Sequence, residues 1–324
     1  MEGFIDTLNG VIWSNALVYL CLGAGAYFTL VTLFLQIRCL PDMIRQLKSG
    51  ESSEQGISSF QSLMISLAGR VGVGNIAGVS TAIAFGGPGA VFWMWLVALL
   101  GSATSFIECC LAQIYKETDR DTGEYRGGPA YYIEKTYKHT AAAPFMLVYA
   151  IIFAVCMLLA TSYFLPGIQA NGVAAAVDNA WGINVWISAA IMTVMLAFII
   201  IGGVKRIANF ASMVVPFMAG LYIIIAIVVL FANASQIPEV FGTIVRSAFD
   251  KEAAFSGMLG AAIMWGVKRG IYSNEAGQGT GPQSAAAAEV SHPAKQGFVQ
   301  AFAVYIDTLF VCSATAFIII STDM

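Results

Sequence analysis

Residues 69–78 read GRVGVGNIAG, which sets four glycines and an arginine inside an apolar segment, 58–86, otherwise long enough to cross a membrane. Each interior glycine costs a helix about 1 kcal/mol relative to alanine. Backbone groups freed at membrane depth are tolerated only where they line a cavity or are buried in protein. The segment therefore predicts a broken helix, and the break is the first candidate for a functional site.

The rest of the chain supplies the membrane context. Hydrophobic residues make up 58% and charged residues 11% of the 324 positions, with a mean hydropathy of +0.76, outside the range of soluble domains. Apolar runs of about 20 residues fall at 11–37, 58–86, 89–115, 144–177, 183–203, 208–233, 254–289 and 297–321. They predict an all-α polytopic membrane protein of about eight spans, in a single membrane domain 1–324. Glu2 and Asp6 stand where a signal peptide carries basic residues, so the first run reads as a true span.

Lys and Arg are distributed unevenly between these runs. The loops after spans one, three, five and seven carry Arg38, Arg45, Lys48, Lys116, Arg120, Arg126, Lys135, Lys138, Lys205, Arg206 and Lys295, whereas the intervening loops carry Arg246 and Lys251. Basic loops stay cytoplasmic, so the N-terminus is expected outside. A net charge of −3 gives no reason to expect a nucleic-acid partner. The two histidines, His139 and His292, lie in predicted cytoplasmic loops, and Cys109-Cys110 lacks metal-ligand spacing. A buried histidine- or zinc-based catalytic site has almost no material, so an enzyme is the weakest class, and no cofactor or obligate protein partner is indicated.

The seventh run repeats the anomaly of the second. Residues 265–284, WGVKRGIYSNEAGQGTGPQS, place Gly266, Gly270, Gly277, Gly279, Gly281 and Pro282, together with Lys268, Arg269 and Glu275, inside an apolar stretch. Two broken spans five apart run in opposite directions. Inverted-repeat transporters use such a pair to build a midplane site for substrate and ion. The first repeat is then 58–233 and the second starts at 254–324. Five spans are expected in the second repeat and two are present, so the chain reads as incomplete after Met324.

GVGNIAG superficially resembles a dinucleotide fingerprint, but no strand precedes it and it lies within a span. Gly74 and Gly78 also form a GxxxG pair, for which helix packing is the competing reading. Packing leaves Asn75 unexplained, and Arg70 facing lipid would cost about 2.5–3.5 kcal/mol. A broken helix offers amide N–H groups to a carboxylate, and offers carbonyls with the Asn75 amide oxygen to a hard cation. The carbonyl ends at Gly69 and Val71 are therefore candidate ion ligands beside Asn75.

In the second break, Tyr272, Ser273 and Asn274 suit a small zwitterion, while Lys268 or Arg269 is expected to pair with Glu275 as a structural lock. Glu108 and Asp307 are further buried carboxylates that can pair with Arg70 or with the 268–269 cations. For Asp307 an ion or proton relay stays open as an alternative. Gln169, in GIQANG, either reaches the pocket or caps a helix end. EYRGGPAYYIEK, 124–135, predicts a turn at Gly127, Gly128 and Pro129 followed by a short interfacial amphipathic helix.

Four motifs together resemble the alanine or glycine:cation symporter family of the amino acid, polyamine and organocation transporter superfamily: FLQIRCLPDM, GRVGVGNIAGVSTAIAFGGPGAVFWMW, EYRGGPAYYIEK, and RGIYSNEAGQGTGP with SHPAKQGF. The resemblance implies a LeuT-like fold with an extra N-terminal helix in a prokaryotic inner membrane. Sodium, less often a proton, is the implied co-substrate, and alanine or glycine the implied substrate. It places Gly74, Asn75 and Gly78 around substrate carboxylate and ion, with Gln169 and Tyr272 to Asn274 completing the pocket. Val73 stands where relatives often carry Thr, and Tyr272 where Phe is common. An amino-acid-binding membrane sensor, or a non-transporting fragment of a carrier, is the alternative.

Overall fold

The computed structural model describes residues 3, 7, 10, 12–47, 52–249 and 258–322. Glu2, Asp6, Lys48, Lys251 and Met324, on which several sequence expectations rest, lie outside this set. Apart from one two-residue β-ribbon, the described regular structure is helical. After α1 (Asn15–Val31) and two short turns, Leu35–Arg38 and Leu40–Gln46, the first broken span comprises α2 (Ser59–Arg70), a π-type turn at Gly74–Gly78 and α3 (Val79–Gly86). The long helix α4 (Gly89–Tyr115) follows, then strands β1 (Glu117–Thr118) and β2 (Tyr125–Arg126) and helix α5 (Pro129–Tyr137). Next come α6 (Ala143–Leu159), continuing through Ala160–Phe164 into α7 (Leu165–Trp181), then α8 (Val185–Ile200), α9 (Gly203–Ala232) and α10 (Ile237–Ala248). The second broken span is α11 (Met258–Asn274) and α12 (Thr280–Ala286), and the last consists of α13 (Pro293–Val304), a π-type stretch Tyr305–Cys312 and α14 (Ser313–Ser321).

Four helical stretches are long and apolar enough to cross a membrane, and the bent pair Ser59–Arg70 with Gly74–Gly86 makes a fifth. The helices at 15–31 and 185–200 are apolar but shorter. Eight apolar runs were expected by composition; five meet the length criterion as helices, because α1 and α8 are short and the seventh run is interrupted.

Burial separates an inner from an outer set. The apolar windows of α4 and of Pro293–Ser321 are 44% and 50% buried, against 11% for α6–α7 and for α9, so the former are the core and the latter a periphery. Peripheral side chains such as Phe145, Ile191, Phe198 and Phe217 project outward without protein cover, the pattern of a lipid-facing surface. In the core, α11 and α13 both pack along α4. Small residues permit the approach: a side-chain carbon on Gly266 would lie 2.4 Å from the Ala90 carbonyl oxygen, and one on Gly270 would lie 3.2 Å from Val97.

The loops after the first, third, fifth and seventh apolar runs meet at one face. Tyr125 N–H donates to the Gln55 carbonyl, Lys205 Nζ to the Glu54 carbonyl, and Lys116 Nζ to the Ala288 carbonyl. Ile57 and Ala288 form a parallel bridge, so the chain entering α2 and the chain leaving α12 are joined. The EYRGG turn is present, with Gly128 at φ +125° and Pro129 opening α5.

Candidate functional site

The first break starts where α2 stops. A capping box at Ser58 and Gln61 opens this helix, and Val71 leaves it in extended conformation (φ −77°, ψ 103°). The chain turns by 54° before α3 continues. The freed amides are satisfied locally: Gly72 N–H donates to Asn75 Oδ1 at 2.7 Å, and Val73 N–H to Gln169 Oε1 at 2.9 Å. Gln169 thus reaches from α7 into the break rather than capping its own helix. Asn75 Oδ1, expected to face a cation, here accepts from the backbone. Val73 packs against Gly172, where a side-chain carbon would come within 2.6 Å of its methyl.

The second break follows Asn274. Glu275 adopts φ +55°, a left-handed conformation costing a non-glycine residue roughly 1–2 kcal/mol, before Gly277 and Gly279 at φ +86° and +90°. Asn274 Oδ1 caps Ala276 N–H at 3.0 Å, Glu108 Oε1 caps Gly277 N–H at 3.2 Å, and Glu275 Oε2 accepts from Thr280 Oγ1. A strained residue at a helix break is tolerated when its surroundings hold it there. The effect is to set the Glu275 carboxylate beside Gly69, whose side-chain carbon would lie 3.6 Å from Oε1.

Asp307 joins the two breaks. It is fully buried, and its carboxylate accepts from Asn75 Nδ2 at 2.6 Å, Ser273 Oγ at 2.8 Å and Thr308 Oγ1 at 2.7 Å. Asn75 Nδ2 also reaches Ser273 Oγ at 3.2 Å, and Cys312 Sγ touches both residues. The residue comes from the π-type stretch Tyr305–Cys312 and Asn75 from the π-type turn Gly74–Gly78, while Ser273 stands in the last turn of α11. Sequence reasoning gave Asp307 chiefly a structural charge role; its mid-span position in VYIDTLF was the available signal.

The expected ion pairs do not form. Among the described residues, every ion pair involves exposed or part-exposed groups outside the two breaks, and none includes Arg70, Lys268, Arg269, Glu108, Glu275 or Asp307. Lys268 stands about 9 Å of helical rise before Asn274, the last residue of α11, and the cation turns the other way, 5.8 Å from the Trp265 ring. Arg70, buried at 2% exposure, donates from Nη1 to the Gln300 carbonyl at 3.4 Å, leaving Nε and Nη2 without hydrogen-bond partners. Its guanidinium occupies the space that Gly281 leaves, within 2.8 Å of where a side-chain carbon would stand.

A cavity of about 350 Å³ lies between the breaks, within the usual range for small-molecule sites. Gly69, Arg70, Gly74, Gln169, Tyr272 and Glu275 line it, and it runs past Thr280 and Gln283 toward the face where the basic loops meet. Tyr272 lies against Gly74, its ring 3.2 Å from where a side-chain carbon would be. Gly78 faces the Arg269 stem. The GxxxG pair therefore serves packing and the break alike. Asn75 and Ser273 lie behind the cavity wall at Asp307, and Asn274 opens instead on a separate hollow between α1 and α4. Val71 is packed in an apolar cluster with Leu63 and Leu67. Below the cavity, Ser66 and Ser284 share a short hydroxyl contact and Ser62 Oγ donates to the Ser284 carbonyl at 2.8 Å, fastening α2 to α12.

Comparisons with known proteins place the sequence in a family. The family model described as the sodium:alanine symporter family matches residues 1–324. YrbD of Bacillus subtilis, assigned by name to the sodium/proton-dependent alanine carriers, is 56% identical over 324 residues, covering 100% of this chain and 65% of that protein. GlnT of the same organism, named as a sodium/glutamine symporter, is 46% identical over 325 residues, covering 100% and 66%. The sodium/alanine symporter AgcS of Methanococcus maripaludis is 41% identical over 318 residues, covering 97% and 69%. The chain spans about two thirds of the length of the curated relatives it matches. A membrane protein with several helices long and apolar enough to span the bilayer, the chain belongs to the sodium:alanine symporter family, a family of transporters and not of enzymes.

Proposed function

We propose that this chain carries the substrate and ion sites of a secondary symporter that couples inward sodium, or proton, movement to uptake of alanine or glycine. The observation that carries the reading is Asp307: a fully buried carboxylate, with no ion-pair partner among the described residues, bonded to side chains of both broken spans. A buried charge left unpaired costs several kcal/mol. A hard cation with oxygen ligands removes that cost, and Asp307, Ser273 Oγ and Thr308 Oγ1 supply such oxygens beside Asn75. Gly69 and Val71 carbonyls at the end of α2 are candidates for a further ion.

The amino acid occupies the cavity against Gly74, Gln169 and Tyr272, with Asn75, Gly78, Ser273 and Asn274 shaping the two breaks around it. Because Asn75 and Ser273 touch both the cation carboxylate and the cavity wall, ion occupancy and substrate occupancy favour the same arrangement of α2–α3 and α11–α12. Alternating access follows if the paired breaks rock as one body against the remaining helices, which accords with the α2–α12 serine contacts. The repeat 58–233 and the start of a second at 254–324 then belong to the two inverted halves of a LeuT-like fold, with the N-terminus outside and the basic loops facing the cytoplasm of a prokaryotic cell. Each sodium ion entering down a 100 mV potential contributes about 2.3 kcal/mol.

The test is uptake of labelled alanine into proteoliposomes under imposed sodium or proton gradients, with glycine and glutamine as competitors. Gradient-dependent accumulation blocked by glycine supports the reading. Uptake indifferent to both gradients overturns it, and alanine binding without flux favours the sensor alternative.

A further inference from the structure

Tyr272 is a wall of two hollows. One is the cavity between the breaks; the other, an open hollow of about 250 Å³, is lined by Trp13, Trp265, Lys268, Arg269 and Tyr272. The second hollow has an unusual chemical balance. Lys268 Nζ stands 5.8 Å from the Trp265 ring and 5.9 Å from the Trp13 ring, and Arg269 Cζ stands 5.3 Å from Trp265. Neither cation has an ion-pair partner among the described residues. Arg269 Nε and the Tyr272 hydroxyl are both buried without a hydrogen-bond partner.

Aromatic faces stabilise a nearby cation by about 0.5–1 kcal/mol at exposed sites, which does not satisfy its N–H donors. Two adjacent cations also repel each other. An anion accepting from Arg269 Nε and the Tyr272 hydroxyl satisfies both orphan donors and offsets that repulsion, and a carboxylate is the planar, doubly accepting group that a guanidinium matches best. Trp13 and Trp265 leave apolar walls for a short aliphatic remainder. The position adds a second argument. The Arg269 stem lies over Gly78 of the first break, and Tyr272 packs on Gly74, so a ligand here rests on two α11 side chains that themselves touch the first broken span, and Tyr272 also lines the central cavity.

We propose that this hollow is a carboxylate-binding entry subsite, which captures the α-carboxylate of the incoming amino acid before it passes Tyr272 into the central cavity. Its role in transport rests on the symporter reading; its capacity to bind a short carboxylate does not. Opposite charge in a recessed site raises capture rates and makes them sensitive to ionic strength.

The test uses the full chain, purified in detergent, titrated with sodium propionate at constant ionic strength while tryptophan fluorescence is followed. The expected result is a saturable change in the wild type, loss of the signal in Trp265→Phe, and no saturable response to propylamine. The double variant Lys268→Gln/Arg269→Gln should weaken propionate at least tenfold, and Tyr272→Phe, which removes only a hydroxyl, about threefold. Lys268→Arg should retain binding. Absence of a saturable change, an unaltered affinity in the double variant and in Tyr272→Phe, or an equal response to propylamine overturns the subsite. Propionate binding with this pattern in a protein that accumulates no alanine leaves the subsite standing and removes the symporter reading alone. Alanine accumulation without propionate binding does the reverse.

Discussion

Asn75 Nδ2 lies 2.6 Å from Asp307 Oδ1, although 232 residues separate them and each sits where its helix departs from α geometry. The contact makes one side chain of the first break the hydrogen-bond donor to a buried carboxylate that Ser273, of the second broken span, also bonds. Replacing Asn75 by an apolar residue would leave Asp307 Oδ1 and the Gly72 amide without their donor and acceptor, confounding function with folding. Asp307→Asn is the cleaner change, since it keeps the volume and removes the charge. Sodium should raise the thermal midpoint of the wild type and leave that of Asp307→Asn unmoved, because a ligand stabilises only the state that binds it. Sodium-dependent alanine uptake should fall at least tenfold. An equal sodium shift in both proteins would place the cation elsewhere.

Gln169 is predicted to matter through its acceptor oxygen. Removing it in Gln169→Ala leaves the Val73 N–H without its partner, a loss of about 1–3 kcal/mol for a buried donor. Gln169→Glu keeps an acceptor at the same distance. Alanine binding should weaken at least fivefold in the Ala variant and remain within about threefold of wild type in the Glu variant. Isothermal titration of both variants decides the matter, and equal losses would mean that the amide N–H₂ group, rather than the oxygen, carries the effect.

How much of this site was legible beforehand depends on the kind of signal. Glycines inside apolar runs disclose the breaks at 69–78 and 265–284, because backbone polar groups at membrane depth have few places to go. The charges were harder to place. Lys268, Arg269 and Glu275 were expected to face protein or water, and Arg70, Glu108 and Glu275 are buried, yet the expected pairing of Glu275 with Lys268 or Arg269 fails on helix geometry that spacing alone does not weigh against side-chain direction. Glu108 instead caps Gly277, and Lys268 turns to Trp13 and Trp265. Asp307 was visible as an intramembrane carboxylate. Its partners were not, since the contact to Asn75 exists only once three separated elements are packed together.

The approach of α11 to α4 gives a test of the packing itself. A side-chain carbon at Gly266 would stand 2.4 Å from the Ala90 carbonyl oxygen and 2.6 Å from Trp93 Cβ, and neither group can swing aside. Gly266→Ala should therefore cost at least the 1–3 kcal/mol typical of overpacking. Gly260, in the same helix, has nothing within 4 Å. Gly260→Ala should be neutral or stabilising by up to about 1 kcal/mol through helix propensity. Thermal unfolding in detergent compares the two, and similar midpoints would contradict the described α4–α11 contact.

Lys116 supplies the pH dependence at the face where the basic loops meet. Its Nζ donates to the Ala288 carbonyl at 2.7 Å and lies 3.7 Å from the Tyr125 ring centroid. Burial lowers its pKa from 10.5 to about 8, with the nearby Glu289 carboxylate acting in the opposite direction. Below pH 8 the lysine is protonated in the folded and unfolded chains alike, so the full cost of burying the ammonium is present. Between about 8 and 10.5 the folded chain has released the proton while the unfolded chain still holds it, so stability rises with pH across that window. Lys116→Met removes the titration, and the Ala288 carbonyl keeps its bond from Gln113 Nε2 at 2.9 Å. The difference in thermal midpoint, wild type minus Lys116→Met, should increase as the pH is raised from 8 to 10.5 and stay level between 6.5 and 7.5. Parallel curves across the whole range would show that the ammonium is not held out of water at this position.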